Sequence, residues 1–460
     1  MHLEEIVRTK RMENKHKIED LYQMQSLPLD AKIRMTEYRI DQWIEEYGED
    51  GVYISFSGGK DSTVLLDICR KKYPNMKAVY CDTGLELPEI RDFVKTFDNV
   101  GWLKPKINFK DAICKYGYPF FSKEICETVA GARKWVKDAK AKQRGEESGL
   151  KGICAYGMAD LIGVDRREDK QNPQYEKLKN GILPEDTVYY QEIKRMIENA
   201  DYLPIRVQMM NGPFKDNNGK KSRYNKEKYF FMLYAPFEIS NICCRLFKKN
   251  LSHEYSKQTG RKPITAVMAE ESMVRTQKWL EHGCNAFDVK NPISNPMSFW
   301  SEQDVLLYIK QKGLRYCEVY GDIVYDHSED ENLDQQMTLA DLDPAKFGVF
   351  DLERPMMKTT KCDRTGCAFC GFGMHMEKES RFAKLDEVSN KNIRDYCFRG
   401  GHFEEDGLWK PDNRGLGYWF AFKWINIHGG FNIYIPELER YEKEYGNDMT
   451  RFYLYGEKPN

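Results

Sequence analysis

The stretch "YISFSGGKDSTVLLDICRKK" runs from Tyr53 to Lys72 and decides the fold. An apolar, β-branched run ends at Phe56, six small or polar residues follow, and a helical pattern then begins. A helix N-terminus presents unpaired backbone N–H groups and partial positive charge, and glycines let the backbone approach an anion closely. The turn is therefore suited to bind a phosphate group through its six residues: Ser57, Gly58, Gly59, Lys60, Asp61 and Ser62.

The side chains of this turn strengthen the case for a phosphate ligand. Lys60 adds a mobile cation, Ser57 and Ser62 can donate hydroxyl hydrogen bonds, and Ser62 can also cap the helix. The common nucleotide-binding motif G-x-x-x-x-G-K-[ST] is absent. A tight Gly-Gly turn before a helix is the alternative, but the order Ser, Lys, Asp, Ser directly after a buried strand favours phosphate binding.

Strand and helix patterns alternate around the turn. Val52–Phe56 predicts a buried strand and Ser62–Lys72 a helix. "MKAVYCDTG" (76–84) predicts a second strand, and "LPEIRDFVKTF" (87–97) predicts a helix with Pro88 in its first turn, where proline is tolerated. This alternation predicts an α/β fold, a parallel twisted sheet with flanking helices.

Changes in composition and in secondary-structure pattern divide the chain into five predicted segments. Residues 139–230 contain charged, Gly- and Asn-rich stretches, which predicts an inserted, partly helical segment. "WSEQDVLLYIKQKG" (300–313) predicts a helix with Ser301 as its N-cap and Gly313 after it. The predicted segments are an N-terminal helical segment (1–48), the first part of the α/β core (49–138), the helical insertion (139–230), the second part of the core (231–330) and a mostly helical, cysteine-bearing C-terminal region (331–460).

The net charge and the lengths of the apolar runs limit the classes of binding partner that we expect. The chain has 460 residues, of which 71 are Lys or Arg and 72 are Asp or Glu, so the formal net charge is -1. This balance gives no argument for nucleic acid or a membrane surface as a partner. No apolar run reaches the roughly 18 residues needed to span a bilayer, and the charged N-terminus lacks the apolar stretch of a signal peptide. We therefore expect a soluble, cytoplasmic protein with no membrane partner.

The turn and three distant stretches resemble one protein family. "SFSGGKDS" (55–62) is similar to the PP-loop of ATP pyrophosphatases and of the phosphoadenosine phosphosulfate (PAPS) reductase family. "VYCDTGLELPEIRDFV" (79–94), "EESMVR" (270–275) and "NPMSFWSEQDVLLYI" (295–309) resemble further motifs of the reductase branch. The resemblance implies an adenine nucleotide α-hydrolase-like fold that binds ATP or an adenylyl sulfate nucleotide through the loop and six further residues: Asp82, Thr83, Gly84, Glu271, Ser272 and Arg275.

The chain departs from the reductase pattern in two places. Sulfonucleotide reductases carry G-x-R before the E-S pair, where this chain has Ala266 and Met268, so one anion contact is lost. They also use a mobile C-terminal cysteine as nucleophile in a Glu-Cys-Gly context. The last cysteine of this chain is Cys397 in "DYCFRG", and its aromatic neighbours indicate a packed thiol.

Five of the 13 cysteines are clustered, in a chain whose expected compartment makes disulfides a poor explanation. Soft thiolates bind zinc or iron–sulfur clusters, and a structural zinc site fits the C-x2-C spacing equally well. The pattern is similar to the [4Fe-4S] cysteines of the adenylyl-sulfate reductase branch, and the extra Cys362 to the sulfur enzyme of DNA phosphorothioation systems. The resemblance favours a [4Fe-4S] cluster, with Zn²⁺ as the alternative, on Cys243, Cys244, Cys362, Cys367 and Cys370.

These features predict an enzyme that cleaves ATP between the α and β phosphates and adenylylates an acceptor in a sulfur-transfer or nucleic-acid modification pathway. The expected catalytic residues are Lys60, Asp61 and Arg275, with Mg²⁺ bridging the phosphates near Asp61. One alternative is an adenylyl-sulfate or PAPS reductase that releases sulfite. The other is a nucleotide-binding subunit of a nucleic-acid modification or defence complex.

The sequence leaves the macromolecular partners open. A sulfur donor or acceptor protein, a nucleic acid, and a second copy in a homodimer are all compatible with it. The aromatic C-terminal region can stack bases, although an aromatic core is the more common arrangement of such residues, which are Trp409, Tyr418, Trp419 and Trp424.

Overall fold

The computed structural model describes residues 14–143, 188–326, 356–377, 380–383, 385, 391–404 and 408–436. The chain is a mixed α/β protein whose mostly parallel central sheet is flanked by helices. It forms two compact units, residues 1–105 with 247–366 and residues 106–246 with 367–460. The five segments expected from the sequence divide the chain differently and stay a prediction; much of the expected insertion lies outside the described residues.

The described α-helices are α1 (Ile18–Gln25), α2 (Leu29–Tyr47), α3 (Lys60–Lys72), α4 (Pro88–Lys95), α5 (Phe109–Tyr116), α6 (Lys123–Gln143), α7 (Val188–Glu198), α8 (Ile205–Met210), α9 (Asn250–Thr259), α10 (Met273–His282), α11 (Glu302–Lys312), α12 (Lys391–Phe398) and α13 (Tyr418–Gly429). Short 3-10 segments lie at Glu49–Gly51, Glu227–Tyr234, Ala269–Glu271 and Glu318–Tyr320, and a π-helical turn at Arg245–Lys249 precedes α9.

The described strands are β1 (Val52–Ser55), β2 (Ala78–Cys81), β3 (Val100–Leu103), β4 (Phe120–Phe121), β5 (Lys262–Ile264), β6 (Asn285–Ala286), β7 (Ile293–Ser294), β8 (Ile323–Tyr325), β9 (Met357–Thr359), β10 (Gly371–Phe372), β11 (His402–Phe403) and β12 (Trp409–Lys410). The central sheet has the order β3-β2-β1-β5-β7-β6. Its pairs are parallel except for β6 with β7 at one edge. The parallel α/β sheet expected from the sequence is confirmed.

The first unit contains this sheet. Strand β1 is central, and its first three residues are buried, as expected for a strand covered on both faces. Its register with both neighbours is fixed at Ile54, which pairs with Ala78 of β2 and Ile264 of β5. Helix α3, which follows the turn, also buries most of its first ten residues, so the turn is held between two buried elements.

Helix α11 packs against α3 and α2 and confirms the capping prediction. Ser301 is the N-cap and accepts a hydrogen bond from the Asp304 backbone N–H, while Gly313 ends the helix in the left-handed conformation. Asp304 also forms a 2.6 Å ion pair with the buried Lys32 of α2. A 2.6 Å hydrogen bond from Tyr308 to Asp67 links α11 to α3, so the start of α11 is fixed relative to the turn.

The second unit is built around α13. The side chains of this helix pack in an aromatic core with Tyr118, Phe120 and Phe237, in edge-to-face ring pairs. The aromatic-core interpretation is confirmed, because the rings named as base-stacking candidates are at most 2% exposed: Trp409, Tyr418, Trp419 and Trp424.

No helix among the described residues combines the length and the apolar character that a bilayer crossing requires.

Gly58 is the residue of the turn whose replacement we expect to be most damaging. Gly58→Ala should lower the unfolding temperature, because φ is +73° and an added Cβ would lie 2.7 Å from Val94 Cγ2. Gly260→Ala is the matched control: φ is +74°, but nothing lies within 4 Å of an added Cβ. Both variants bear the backbone cost of about 1 kcal/mol, and overpacking should add about 1–3 kcal/mol for Gly58→Ala alone. Equal losses in thermal unfolding would contradict this account.

Candidate functional site

The turn after β1 lies where the strand order of the sheet reverses. From β1, the sheet continues through β2 and β3 on one side and through β5 and β7 on the other. Connections leave such a switch point in opposite directions, which opens a crevice at the carboxyl ends of the strands, where ligands of open α/β sheets bind. The turn and the N-terminus of α3 follow β1 at this edge.

The turn is tight and is stabilised by hydrogen bonds between its own residues. Gly58 has φ +73° and leaves no room for a Cβ beside Ile90 and Val94 of α4. The Ser57 and Ser62 hydroxyls share a hydrogen bond of 3.0 Å, and the backbone N–H of Ser57 donates to Ser62 Oγ. The helix begins at Lys60 with Gly59 as its N-cap, so the expected capping role of Ser62 is wrong. The two serines instead fix the shape of the turn.

Lys60 is held rather than mobile, contrary to the expectation from the sequence. Its side chain is 4% exposed and forms a 2.8 Å ion pair with Glu302 at the start of α11. Its Nζ also donates to the backbone carbonyl of Asp363 and lies 5.2 Å from the centre of the Tyr320 ring. The Lys60 backbone N–H donates to Tyr320 Oη at 3.1 Å. The cation is thus fixed at the first position of α3 by residues distant in sequence.

Two carboxylates near the carboxyl ends of β1 and β2 have incomplete hydrogen bonding. Asp61 Oδ1 and Asp82 Oδ1 are buried and have no hydrogen-bond partner among the described residues. The other oxygen of Asp82 accepts a 2.8 Å hydrogen bond from Arg91. A buried polar atom without a partner costs free energy, and a bound water, ion or ligand would remove that cost. Hard oxygen atoms of this kind suit Mg²⁺.

Burial raises the pKa of the Asp61 carboxyl. The field of Lys60 opposes this rise, Glu302 adds to it, and the guanidinium groups of Arg364 and Arg275 oppose it. The carboxyl therefore lies among three cations, and its ionised form is disfavoured mainly because water is excluded.

The Asp82–Thr83–Gly84 turn is held by Glu86, which the motif did not single out. Thr83 Oγ1 lies 2.7 and 2.8 Å from the two carboxylate oxygens of Glu86, and the Thr83 backbone N–H donates to the same carboxylate. Gly84 has φ +72°. Glu86 also faces Lys248 at 3.9 Å, which links this turn to the π-helical turn that precedes α9.

The expected anion-binding residues of the E-S-x-x-R element have structural roles in the described residues. Ser272 is the N-cap of α10 and accepts from the Arg275 backbone N–H. Glu271 forms an ion pair with the Arg275 guanidinium and accepts from the Met268 backbone N–H at 3.1 Å. Burial lowers the pKa of Arg275, and the neighbouring Arg364 lowers it further. Met268 itself is buried and contributes no charge.

A cavity of about 710 Å³ opens beside the turn within the first unit. This volume is in the range of small-molecule sites. Of the expected site residues, Ser57 and Arg275 line it, together with Thr365 and Gly366. Lysines outnumber carboxylates in the remaining lining, which favours an anionic ligand. The charged residues of this lining are Lys248, Lys249, Lys278, Lys290, Glu86 and Glu281, and His253 and His282 also line the cavity.

The clustered cysteines are distributed over both units. Cys362 belongs to the first unit, where its thiol donates to the Arg364 carbonyl at 2.9 Å. The other four belong to the second unit. There, a hydrogen bond with Cys244 raises the pKa of the Cys243 thiol, burial raises it further, and the thiols of Cys370 and Cys367 contribute. Among the described residues, no three Cys, His, Asp or Glu side chains converge as metal ligands do.

Cys397 is fully buried, as expected, and burial raises the pKa of its thiol well above its ordinary value. A buried, protonated thiol is a poor nucleophile. Cys397 therefore does not take the place of a mobile reductase cysteine.

Several residues at the turn were not found by sequence reasoning. Glu302 lies in the first turn of the helix predicted for residues 300–313 and was not expected to be the ion-pair partner of Lys60. Tyr320 lies outside every motif described above. Asp363, Arg364 and Thr365 lie inside the cysteine pattern "KCDRTGC", which drew attention to the thiols alone. No local signal distinguishes these residues from ordinary surface positions.

Comparison with known proteins gives a family match for part of the chain. The family model described as "Phosphoadenosine phosphosulfate reductase domain" matches residues 51–143, from the strand before the turn to the end of α6. The matched segment is about a fifth of the chain. It supports the family resemblance of the turn and of the Asp82–Thr83–Gly84 motif, whereas the likeness to the DNA phosphorothioation enzyme stays a prediction.

A curated relative and a solved structure match different shares of the chain. An uncharacterised protein of Methanocaldococcus jannaschii is 39% identical over 80 residues, which are 16% of this chain and 19% of the relative. The chain thus spans about a fifth of the length of that curated relative. The chain is also similar to PAPS reductase from Candida auris, whose crystal structure was determined in complex with phosphate. The two sequences are 11% identical in the matched region, which covers 62% of this chain and 82% of the reductase chain, and the TM-score is 0.29.

Asp61 should make the ligand-free protein less stable as pH rises. Because burial raises its pKa, the folded state binds the proton more tightly than the unfolded state, so stability falls as pH rises from about 3.8 towards the raised pKa. Asp61→Asn should therefore raise the unfolding temperature at pH 7, and this gain should shrink towards pH 4.

Asp92→Asn is the control for the Asp61 experiment, because the pKa of Asp92 is shifted in the opposite direction. Asp92 is exposed, and its hydrogen bond with Lys95 lowers its pKa. Its replacement should slightly lower the unfolding temperature at pH 7, with a difference that disappears below the lowered pKa. Thermal unfolding of both variants at several pH values measures this, and no gain for Asp61→Asn at any pH would contradict the burial argument.

Proposed function

We propose that the protein is a PP-loop nucleotide-binding enzyme that cleaves ATP between the α and β phosphates and transfers the adenylyl group to an acceptor. The turn Ser57–Ser62 at the switch point of the sheet carries this proposal. It combines a backbone that only glycine can adopt at Gly58, a helix N-terminus, the fixed cation of Lys60 and the incompletely bonded carboxylate of Asp61. These are the elements that bind a polyphosphate.

The residues of the turn would act mainly by position and charge. The triphosphate would lie on the backbone N–H groups at the start of α3, with Lys60 and Arg275 stabilising negative charge. A nucleophilic oxygen or sulfur of the acceptor would attack the α-phosphorus. The bond from that phosphorus to the bridging oxygen breaks, the electron pair leaves on pyrophosphate, and the adenylyl group is bound to the acceptor. The acceptor belongs in this proposal to a sulfur-transfer or nucleic-acid modification pathway.

Asp61 and Asp82 fit a divalent cation. Each presents one buried oxygen without a hydrogen-bond partner among the described residues, and carboxylate oxygen is the ligand type that Mg²⁺ prefers. When bound, Mg²⁺ would neutralise phosphate charge. Asp61 would hold this ion, and the Arg91 hydrogen bond would orient the Asp82 carboxylate.

A sulfonucleotide reductase is the second candidate, favoured by the family match of residues 51–143. Sulfite released from adenylyl sulfate or PAPS would identify that activity, and pyrophosphate released from ATP would identify the first. Burial of Cys397 argues against the reductase, because this thiol is not available to attack the sulfate. The hypothesis of a subunit in a nucleic-acid modification or defence complex gains no support from the aromatic residues of α13, because their rings are buried.

We propose the clustered cysteines of the second unit as ligands of a [4Fe-4S] cluster, with Zn²⁺ as the alternative, although no three of their thiols converge among the described residues. Cys243, Cys244, Cys367 and Cys370 lie in one unit and interact electrostatically, and thiolates are the ligands of both groups. Tyr418 donates a 2.6 Å hydrogen bond to the Phe369 carbonyl, which fixes the backbone between Cys367 and Cys370. When bound, the cluster would supply electron transfer or a rigid cross-link of the unit.

Replacement of Lys60 should abolish pyrophosphate release from ATP. Lys60→Met combined with Glu302→Gln removes both charges, so that no unpaired carboxylate remains to destabilise the protein. We expect the rate to fall by roughly 100-fold or more. Lys72→Ala, at the exposed end of the same helix, should keep the activity. Full pyrophosphate release by the double variant would overturn the proposed role of the turn.

The metal content of protein prepared without oxygen tests the cysteine proposal. A cluster predicts about four iron atoms per chain and visible absorption, whereas zinc predicts one ion and no colour. Cys367→Ser and Cys370→Ser should lose the metal, and Cys114→Ser, in the same unit, should retain it. Absence of both metals from the purified protein would contradict the proposal.

A further inference from the structure

The segment Thr360–Gly366 lies against the turn Ser57–Ser62. The carbonyl oxygen of Asp363 accepts a hydrogen bond from Lys60 Nζ. The Thr365 hydroxyl shares a 2.7 Å hydrogen bond with Tyr320 Oη, which accepts from the Lys60 backbone N–H. The residues on both sides of Arg364 are thus connected to Lys60, so the backbone of Arg364 is fixed beside the turn.

The rest of the first unit holds this segment in place. Strand β9 pairs with β8, and Thr360 and Asp322 exchange hydrogen bonds at the end of this pair. The Lys361 backbone N–H donates to the Tyr320 carbonyl at 3.1 Å, and Thr359 Oγ1 donates to the Cys362 carbonyl at 2.9 Å. Gln303 of α11 forms two hydrogen bonds with the backbone of β9. The position of Arg364 is therefore built into the fold.

The close contact of Thr365 with the turn supports the same placement. A Cβ added at Gly59 would lie 3.2 Å from Thr365 Oγ1 and 3.1 Å from Tyr320 Oη. Thr365 and Gly366 also line the cavity beside the turn. The chain thus runs from Arg364 directly into the cavity wall.

The charge of Arg364 affects the ionisation of three groups in the first unit: Asp61, Glu270 and Arg275. It favours the ionised form of Asp61 and of Glu270, and it opposes the charge of Arg275. The Arg364 side chain is exposed and forms no ion pair with a described carboxylate, whereas Lys60 pairs with Glu302. The like charges of Arg364 and Arg275 repel each other, and an anion that contacts both would offset this repulsion.

We propose that Arg364 is a phosphate-binding residue of the nucleotide site, which contacts the polyphosphate of ATP opposite the turn Ser57–Ser62. This inference rests on the proposed function and extends the site to a residue outside the segment that matches the family model. A planar guanidinium can bind two phosphate oxygens at once. The segment that carries Cys362 therefore completes the nucleotide site through Arg364.

Equilibrium binding to the full-length protein tests this role. The probe is an ATP analogue in which a methylene group replaces the oxygen between the α and β phosphates, and AMP serves as the comparison ligand. Calorimetry should show that Arg364→Gln binds the analogue about 10- to 100-fold more weakly than the wild type, as expected for a lost charged hydrogen bond. AMP, which lacks the β and γ phosphates, should be affected less.

Two further variants make the experiment specific. Lys361→Gln removes the same charge from the same segment at an exposed position and should change the affinity by no more than about twofold. Arg364→Lys keeps the charge but loses the planar fork, so its affinity should lie between those of the wild type and Arg364→Gln. All variants should unfold at the same temperature as the wild type.

The possible failures are distinguishable. If the wild type binds the analogue and Arg364→Gln binds it equally well, the role of Arg364 is overturned and the proposed function stands. If the wild type does not bind the analogue, the proposed function is overturned, and the role of Arg364 with it. An equal loss for Lys361→Gln would also overturn the proposal, because it would show a general effect of charge.

Discussion

The close approach of Gly58 to Ile90 and Val94 is the constraint on which the candidate site depends. Because φ is positive and a Cβ would collide with both side chains, the chain can turn here from β1 into α3 only with glycine. The turn then places the N-terminus of α3 at the point where the sheet changes direction. Lys60, Asp61 and Ser62 lie in the first turn of this helix, so a displacement of Gly58 would move all three together.

Charge is concentrated at this helix end. Lys60 is almost fully buried and neutralised by Glu302, while Asp61 has a buried oxygen without a described partner. Burial of ionised groups costs free energy, and such groups are typical of functional sites. In the proposed function, a bound anion and a bound cation would complete this arrangement of charges.

The cysteine pattern "KCDRTGC" contributes to two places in the molecule. Its first part, with Cys362 and Arg364, belongs to the first unit and lies against the turn, and its second part begins the cysteine pair of the second unit. Arg364 is a cation in a chain that has Met268 where the reductase pattern has an arginine before the E-S pair. A short segment that resembles only a metal-binding motif thus also provides the backbone contact to Lys60.

The sequence by itself determined the turn, the parallel sheet and the caps of α11, because hydrophobic period, glycine conformation and N-cap chemistry act over a few residues. It also indicated that Cys397 and the aromatic residues of α13 are packed. Tertiary structure alone decided which residues surround Lys60. Tyr320 and Asp363 are 260 and 303 positions away, and no local pattern marks such partners, since an ion pair or a carbonyl contact depends on where distant backbone segments meet.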